Sequence, residues 1–272
     1  MSNFYWLTEA QMVRLRPFFP KSRGRVRVDD RRVLSGIIFL NRNGLRWRDA
    51  PADYGPSKTL YNRWKRWSDM GIFARIMTGL ATEAPDNKTI SIDTTYLKAH
   101  RTASSLRFGK GGRGRLIGQT KGGMNTKLHA VTDTSGRQIR FFITAGQVSD
   151  YTGAMALLND LPNAQWLLAD RGYDADWFRE ALSDRGTRPC IPGRKSRNKV
   201  VSYDKRRYRR RNRIERMFGR LKDWRRVSTR YDQRPKVFLS AIALAAAVIF
   251  WLCVLTIGPE PTGHRPVVSS RF

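Results

Sequence analysis

Between Val237 and Ile257 the chain runs for 21 residues with only Ser240 and Thr256 polar. A segment this long and apolar is either a bilayer-spanning helix or the central helix of a sizeable core. Its alanine-rich middle (Ala241, Ala243, Ala245, Ala246, Ala247) suits close helix packing in both settings. The chain has 272 residues, enough to bury roughly three quarters of its unfolded surface without disulfide or metal staples. The opening Asn3-Phe4-Tyr5-Trp6 is too short and mixed for a secretory signal. Cys190 and Cys253 lie far apart and form no CxxC pair, so two inert, buried thiols in a reducing compartment are expected. His100, His129 and His264 are scattered, which argues against a metal site built on Cys and His.

Charge sets the next constraint. Lys and Arg number 52 against 22 Asp and Glu, a net of +30. Such an excess resists compaction by self-repulsion and implies a polyanionic partner. Arg outnumbers Lys, which favours planar, forked recognition of phosphate. Apolar residues make up 40% and aromatics 11%, so this is no disordered basic tail. A folded protein that grips nucleic acid is the reading, with no membrane partner. The plain alternatives are a ribosomal-type or merely basic surface, and a membrane protein anchored by Val237–Ile257.

Residues 1–83 read as all helix. Thr8 caps a first helix, with Gln11 in capping-box position and a stop at Pro20. Asp29 or Asp30 caps a second, through Val33, Ile37, Ile38 and Leu40 to Asn43-Gly44. Ser57 is expected to cap a third. There Leu60, Tyr61, Trp64 and Trp67 share an apolar face, opposite Lys58, Asn62, Arg63, Lys65 and Arg66. A helix pair ending in a basic amphipathic helix suits a helix-turn-helix reader, with Lys58, Arg63, Lys65 and Arg66 toward DNA. An ordinary solvated face is the alternative.

Near Pro85 the pattern changes to strand, hairpin, helix, strand, helix, strand, helix. Thr89–Thr95 is β-rich, and residues 107–123 read as a mobile Gly/Arg-rich loop. Strands are expected at 126–132 and 138–144, turned at Asp133-Thr134-Ser135-Gly136. A helix at 151–161, a strand at 166–169, a helix from Asp174 to about Arg185 and a strand at 188–191 follow. This predicts an α/β (α+β) mixed sheet covered by helices.

Two carboxylates end or interrupt apolar strands: Asp93 among Ile and Thr, and Asp170 after Trp166-Leu167-Leu168-Ala169. A carboxylate there is costly unless it is paired or binds a cation, although a strand-end Asp often only caps a turn. Of the rivals to Asp170, Asp174 reads as a helix N-cap and Asp176 as a first-turn acid. From Asp204 the chain reads as one long basic helix. At 100° per residue, Tyr208, Arg211, Glu215 and Lys222 share a stripe about 60° wide. Ile214, Met217, Phe218 and Leu221 form the adjoining core face, and Arg209, Arg213, Arg216 and Arg220 the far side. Glu215 is expected beside the core rather than in solvent. The simpler account of Glu215 is an ion pair with Arg211 four residues earlier.

The Tyr208-x2-Arg211-x3-Glu215-x6-Lys222 spacing resembles the Tyr-Arg-Glu-Lys signature of DDE transposases of bacterial insertion elements. Residues 212–226, Ala169-Asp170-Arg171-Gly172-Tyr173-Asp174, Gly146–Asp150 and the Trp47-Arg48-Asp49 region are similar to the insertion-sequence-5 family. The resemblance spans about residues 7 to 255. It implies an RNase H-like catalytic core with Asp93, Asp170 and Glu215 as the acidic triad, preceded by a small helical domain. It also implies that Val237–Ile257 is an apolar C-terminal helix of a soluble protein. The expected division is a DNA-binding domain at 1–83, a catalytic domain at 84–257 and a disordered tail at 258–272.

Three carboxylates without a His/Cys cluster suit hard cations, so two Mg²⁺ ions are expected, with Mn²⁺ as a substitute. Asp93 would serve both ions, and Asp170 and Glu215 one each. Arg211 and Lys222 are expected to hold phosphates, and Tyr208 to position the flanking strand. The tract 194–226 carries 16 Lys and Arg against 3 Asp and Glu, a local excess that lets DNA approach an acidic cluster. Cleavage at terminal inverted repeats of double-stranded DNA and strand transfer into target DNA follow as the expected activity. A homodimer synapsing two ends and a cytoplasmic, nucleoid-associated setting follow from the resemblance. The rival is a non-catalytic helix-turn-helix DNA-binding regulator.

Overall fold

The computed structural model describes residues 4–21, 29–83, 86–105, 112–198 and 200–252. Cys253 and the tail 258–272 lie outside the described residues, as does 107–111 of the loop expected at 107–123.

The N-terminal helices form where their caps predict. In α1 (Glu9–Leu15) the Gln11 N–H donates to Thr8 Oγ1 and the Thr8 N–H to Gln11 Oε1, closing the capping box. Asp29 starts α2 (Asp30–Asn43) by accepting from the Arg31 N–H at 2.9 Å. Gly44, at φ +71°, ends it in the left-handed conformation. The expectation for Ser57 is corrected. Pro56 is the N-cap of α3 (Ser57–Asp69), so Ser57 lies inside the first turn and caps nothing. Leu60, Trp64 and Trp67 are buried as expected, but Tyr61 is exposed. The link from α2 to α3 runs through two 3-10 turns, Trp47–Asp49 and Ala52–Tyr54. It is longer than the three- or four-residue turn of a helix-turn-helix. A tight turn at Gly71 (φ +68°) leads into α4 (Ile72–Glu83).

The sheet follows. Strand β1 (Thr89–Ala99) is central, followed by the short α5 (Arg101–Ser104). The second half of the expected mobile loop is ordered into β2 (Gly118–Thr120), which pairs with β3 (Gly123–Thr132), and β4 (Gln138–Ala145) completes the meander. The predicted Asp133–Gly136 turn forms, with Gly136 at φ +82°. Helix α6 (Asp150–Leu158) then leads to β5 (Trp166–Leu168), α7 (Asp176–Asp184) and β6 (Arg188–Cys190). The order is β2-β3-β1-β5-β6, with β4 beside β3. Strand β1 is antiparallel to β3 and parallel to β5, and β5 is parallel to β6. This is the mixed sheet the sequence predicts.

The long basic helix is broken. Helix α8 (Lys205–Tyr208) tightens into a 3-10 turn at Arg209–Arg211 before α9 (Asn212–Lys222). Helix α10 (Arg225–Ser228) and β7 (Thr229–Arg230) precede α11 (Pro235–Ala246), which continues as a π-helical stretch, Ala247–Leu252. By length and composition Pro235–Leu252 could cross a membrane, yet 78% of it is buried inside the protein. It packs against α2, α3, α4, α9 and β4, so one apolar core runs from the N-terminal helices to the sheet. Alanines at 241, 243, 245, 246 and 247 permit that close packing. Arg226 reinforces the joint, donating through Nε and Nη2 to the Leu45 carbonyl and lying over Trp47.

Candidate active site

Strand alternation sends Asp93 and Thr95 to one face of β1 and Thr94 and Tyr96 to the other. On the first face stands α9, whose Ile214, Met217, Phe218 and Leu221 are buried as its periodicity predicts. This packing delivers the polar stripe of α9 to Asp93. Arg211 Nη1 donates to Asp93 Oδ2 at 2.6 Å, and its Nη2 to Glu215 Oε1 at 2.5 Å. Lys222 Nζ donates to Thr95 Oγ1 at 2.7 Å, and Arg211 lies over the Tyr208 ring at 5.7 Å. The four signature positions thus converge on β1. The expectation that Glu215 sits out of solvent is corrected: its side chain is 53% exposed, and its partner is the i−4 arginine. Its phase on the helix places it beside the core face, but α9 is an edge of the molecule there.

Asp170 arrives from the neighbouring parallel strand. The last β1–β5 pair is Ser91 with Leu168, and Asp93 and Asp170 each lie two residues beyond it. Adjacent strands stand about 4.8 Å apart, so the two carboxylates are neighbours. Asp170 caps the 3-10 turn Arg171–Tyr173, accepting from the Gly172 N–H at 2.8 Å. A carboxylate has about four lone-pair positions, so it retains unused acceptor capacity.

Asp93 is the electrostatic centre. Burial pushes its carboxyl up to about 6, Arg211 and the Thr94 N–H pull it down, and Asp170 and Glu215 push it further up. Burial also raises Tyr208 and lowers Lys222. Behind the site Tyr173 is fully buried, and burial followed by the charges of Asp150, Asp93 and Asp170 holds its phenol well above the usual range.

Asp174 is not an N-cap. Ala175 holds that position, and the Asp174 carboxylate is fully buried. It accepts from Arg179 Nε at 2.8 Å, the Arg194 N–H at 2.8 Å and Arg197 Nε at 2.9 Å. Asp176 is the first-turn acid its position predicts, and it pairs with Arg197. Cys190 is buried, as expected.

Among the predicted DNA contacts, Lys58, Lys65 and Arg66 are exposed on α3. Arg63 is half-buried; it pairs with Asp30 at 2.8 Å and lies over Trp67 at 5.5 Å. No hydrogen bond or ion pair among the described residues joins α3 to the triad.

Sequence reasoning missed the polar network on the other face of β1. Lys127, its side chain 5% exposed, donates to the Val148 carbonyl and to Asp150 Oδ1, and Thr94 Oγ1 donates to the same carboxylate at 3.1 Å. The available signal was a lysine inside an apolar strand, which demands a buried partner.

Among the described residues no three His, Cys, Asp or Glu side chains are close enough to hold one metal ion together. The donor set nevertheless fits a hard divalent cation. Asp93 and Glu215 already share one positive group, the Arg211 guanidinium, and the mutual repulsion of the carboxylates raises Asp93.

Two family models match the chain. Residues 7–77 match "Putative transposase of IS4/5 family (DUF4096)", and residues 84–250 match "Transposase DDE domain". A Brucella ovis protein, "Putative transposase for insertion sequence element IS6501", is 36% identical over 130 residues, covering 47% of this chain and 99% of the relative. Its counterpart for IS402 from Burkholderia cepacia is 29% identical over 137 residues, covering 46% of this chain and 63% of the relative. Among solved structures, the piggyBac transposase synaptic complex with hairpin DNA superposes with a TM-score of 0.53 at 8% identity, covering 88% of this chain and 69% of that one. That likeness extends to the fold, an RNase H-like core. Model matches over most of the length and a sheet that brings Asp93 beside Asp170 converge on one assignment: the chain belongs to the DDE transposases, enzymes of DNA transposition that bind DNA and use divalent metal ions.

Proposed function

We propose that Asp93, Asp170 and Glu215 are the catalytic carboxylates of this transposase, acting on the ends of its mobile element. The observation that carries this reading is Arg211, which ties Asp93 on β1 to Glu215 on α9 while Asp170 flanks Asp93 on the next strand. Three such carboxylates would hold two Mg²⁺ ions, with Mn²⁺ able to substitute. When bound, the ions would neutralise the phosphodiester, activate the attacking oxygen and stabilise the leaving oxygen.

The chain's own residues have separate tasks. Asp93 must be ionised to accept a cation, so a carboxyl pushed up to about 6 by burial places loading near pH 6 and above. Arg211 offers a planar fork that can pass from carboxylate to phosphate oxygens. Lys222, anchored on Thr95, supplies a second positive charge along β1. Tyr208, resting on Arg211, lines the approach of the flanking strand.

Residues 1–83 act as the DNA-binding part, with Lys58, Lys65 and Arg66 toward the backbone, and 84–257 as the catalytic part. The substrates are double-stranded terminal inverted repeats and a target duplex, and a homodimer brings two ends together. The setting is the bacterial cytoplasm, at the nucleoid. Incubation with labelled inverted-repeat duplex, with and without Mg²⁺, tests this. Wild-type protein should nick or cut at the repeat boundary only with the metal. Glu215→Gln should bind the duplex and leave it intact; a Glu215→Gln protein that still cuts removes Glu215 from the triad.

A further inference from the structure

Helix α9 carries a second cationic face that the triad does not use. Measured from Glu215 at 100° per residue, Arg211 and Lys222 lie within about 40° of it. Arg213, Arg216 and Arg220 cluster about 150° from that stripe. They border an open groove of about 640 Å³ between α9, the β3–β4 turn and the π-helical end of α11.

The groove is built rather than incidental. Gly136 lets the turn approach closely: a Cβ there would lie 2.8 Å from Arg213 Cβ. Arg213 donates to the Thr134 carbonyl. Arg220 lies over the Phe250 ring at 4.9 Å and donates to the Ile249 carbonyl. Carbonyls and rings orient these guanidinium groups without neutralising them. Arg137, at the groove's edge, is paired with a carboxylate, Asp133. Arg216 is exposed and makes no hydrogen bond or ion pair among the described residues.

We propose that the Arg213–Arg216–Arg220 face of α9 binds a second DNA segment through its phosphates, separate from the segment cut at the triad. This rests on the reading of Asp93, Asp170 and Glu215 as the cleavage site. Arg213 to Arg220 span about 10 Å of helix axis, the length of about three phosphates of one strand. Guanidinium groups lining one open groove suit forked contacts to phosphate oxygens, the contacts that set the salt dependence of DNA binding. A straight duplex pressed on one side of a helix about 10 Å thick does not reach a face on its far side. The two faces therefore serve two DNA segments, with α9 between them.

The test uses the full chain with Arg216→Glu and Arg216→Lys, after matching their thermal midpoints to wild type. Binding of a random-sequence duplex is followed by anisotropy across a salt series. Nicking is followed on a short element-end duplex that stops just past the scissile phosphate. Arg216→Glu should lower the salt slope by about one and weaken duplex binding several-fold, with short-end nicking at the wild-type level. Arg216→Lys should restore the slope. An unchanged slope overturns the proposal, and so does nicking that falls in step with duplex binding. Wild-type protein that fails to nick sinks the triad reading instead, while the slope, which needs no cleavage, still decides this one.

Discussion

Asp170 and Asp174 stand four residues apart on the same turn and do opposite things. Asp174 is fully buried, and burial alone would raise its carboxyl. The Arg194 N–H, Arg179 and Arg197 outweigh that and hold it below the usual range. Three donors engage both of its oxygens, so it stitches the Asp170 turn to the segment 191–197. Arg194 tightens the same seam by donating to the Arg171 and Gly172 carbonyls and lying over Tyr151. Asp170 is half-buried, with the Gly172 N–H as its hydrogen-bond donor. A saturated carboxylate is structural; one held in place with lone pairs to spare is available for a ligand.

The largest expected effect separates these two. Asp170→Ala should lower cleavage by roughly three orders of magnitude or more, the scale seen when one member of a catalytic unit is removed. Its thermal midpoint should stay near wild type. Asp174→Ala should instead unfold the protein early, costing about 3–5 kcal/mol because Arg179 and Arg197 lose their buried partner. Differential scanning calorimetry beside a nicking assay reads both. If Asp170→Ala is the less stable of the two, the division of labour is reversed.

The next effect is in pH. With Asp93 pushed up to about 6, the carboxyl is protonated at lower pH and cannot hold a cation. Apparent Mn²⁺ affinity, read by paramagnetic resonance, should fall about tenfold per pH unit below that point. The sign for folding is opposite. The folded state holds this proton more tightly than the unfolded chain, so Asp93 lowers stability as pH climbs from about 4 to about 6. Affinity flat from pH 5 to 7 would remove Asp93 from the cation's ligands.

The smallest effects lie on α3. Lys65→Ala and Arg66→Ala should each reduce the salt slope of DNA binding by about one without affecting stability. Arg63→Ala should leave the slope alone and cost about 1 kcal/mol or less, since it loses the partly buried pair with Asp30 and the Trp67 stack. A slope change at Arg63 equal to that at Lys65 would restore it as a DNA contact.

Local signals were legible wherever a short stretch decides the outcome. The Thr8/Gln11 capping box, the Gly44 stop, the Asp133–Gly136 turn and the buried face of α9 all follow from neighbours within one or two turns. The misses arise where distant chain competes for the same group. Ser57 is preempted as a cap by Pro56, and Asp174 is recruited by arginines from residues 179, 194 and 197. Lys127 inside an apolar strand signalled a buried partner, but not that Asp150 and Thr94 would supply it, because the three come from three elements.

The apolar run at 237–257 and the net charge of +30 narrow the chain by themselves to one with a long apolar helix, in a core or a bilayer, and an excess of charge suited to a polyanion. The spacing of Tyr208, Arg211, Glu215 and Lys222 settles which side chains share a stripe, because helical periodicity is local. Three things were decided only by tertiary packing. Residues 235–252 are buried among α2, α3, α4 and β4; Asp170 stands beside Asp93; and Arg211 spans two carboxylates 122 positions apart in the chain. Each depends on which surfaces meet once the core closes, and periodicity within one element carries no information about its partner.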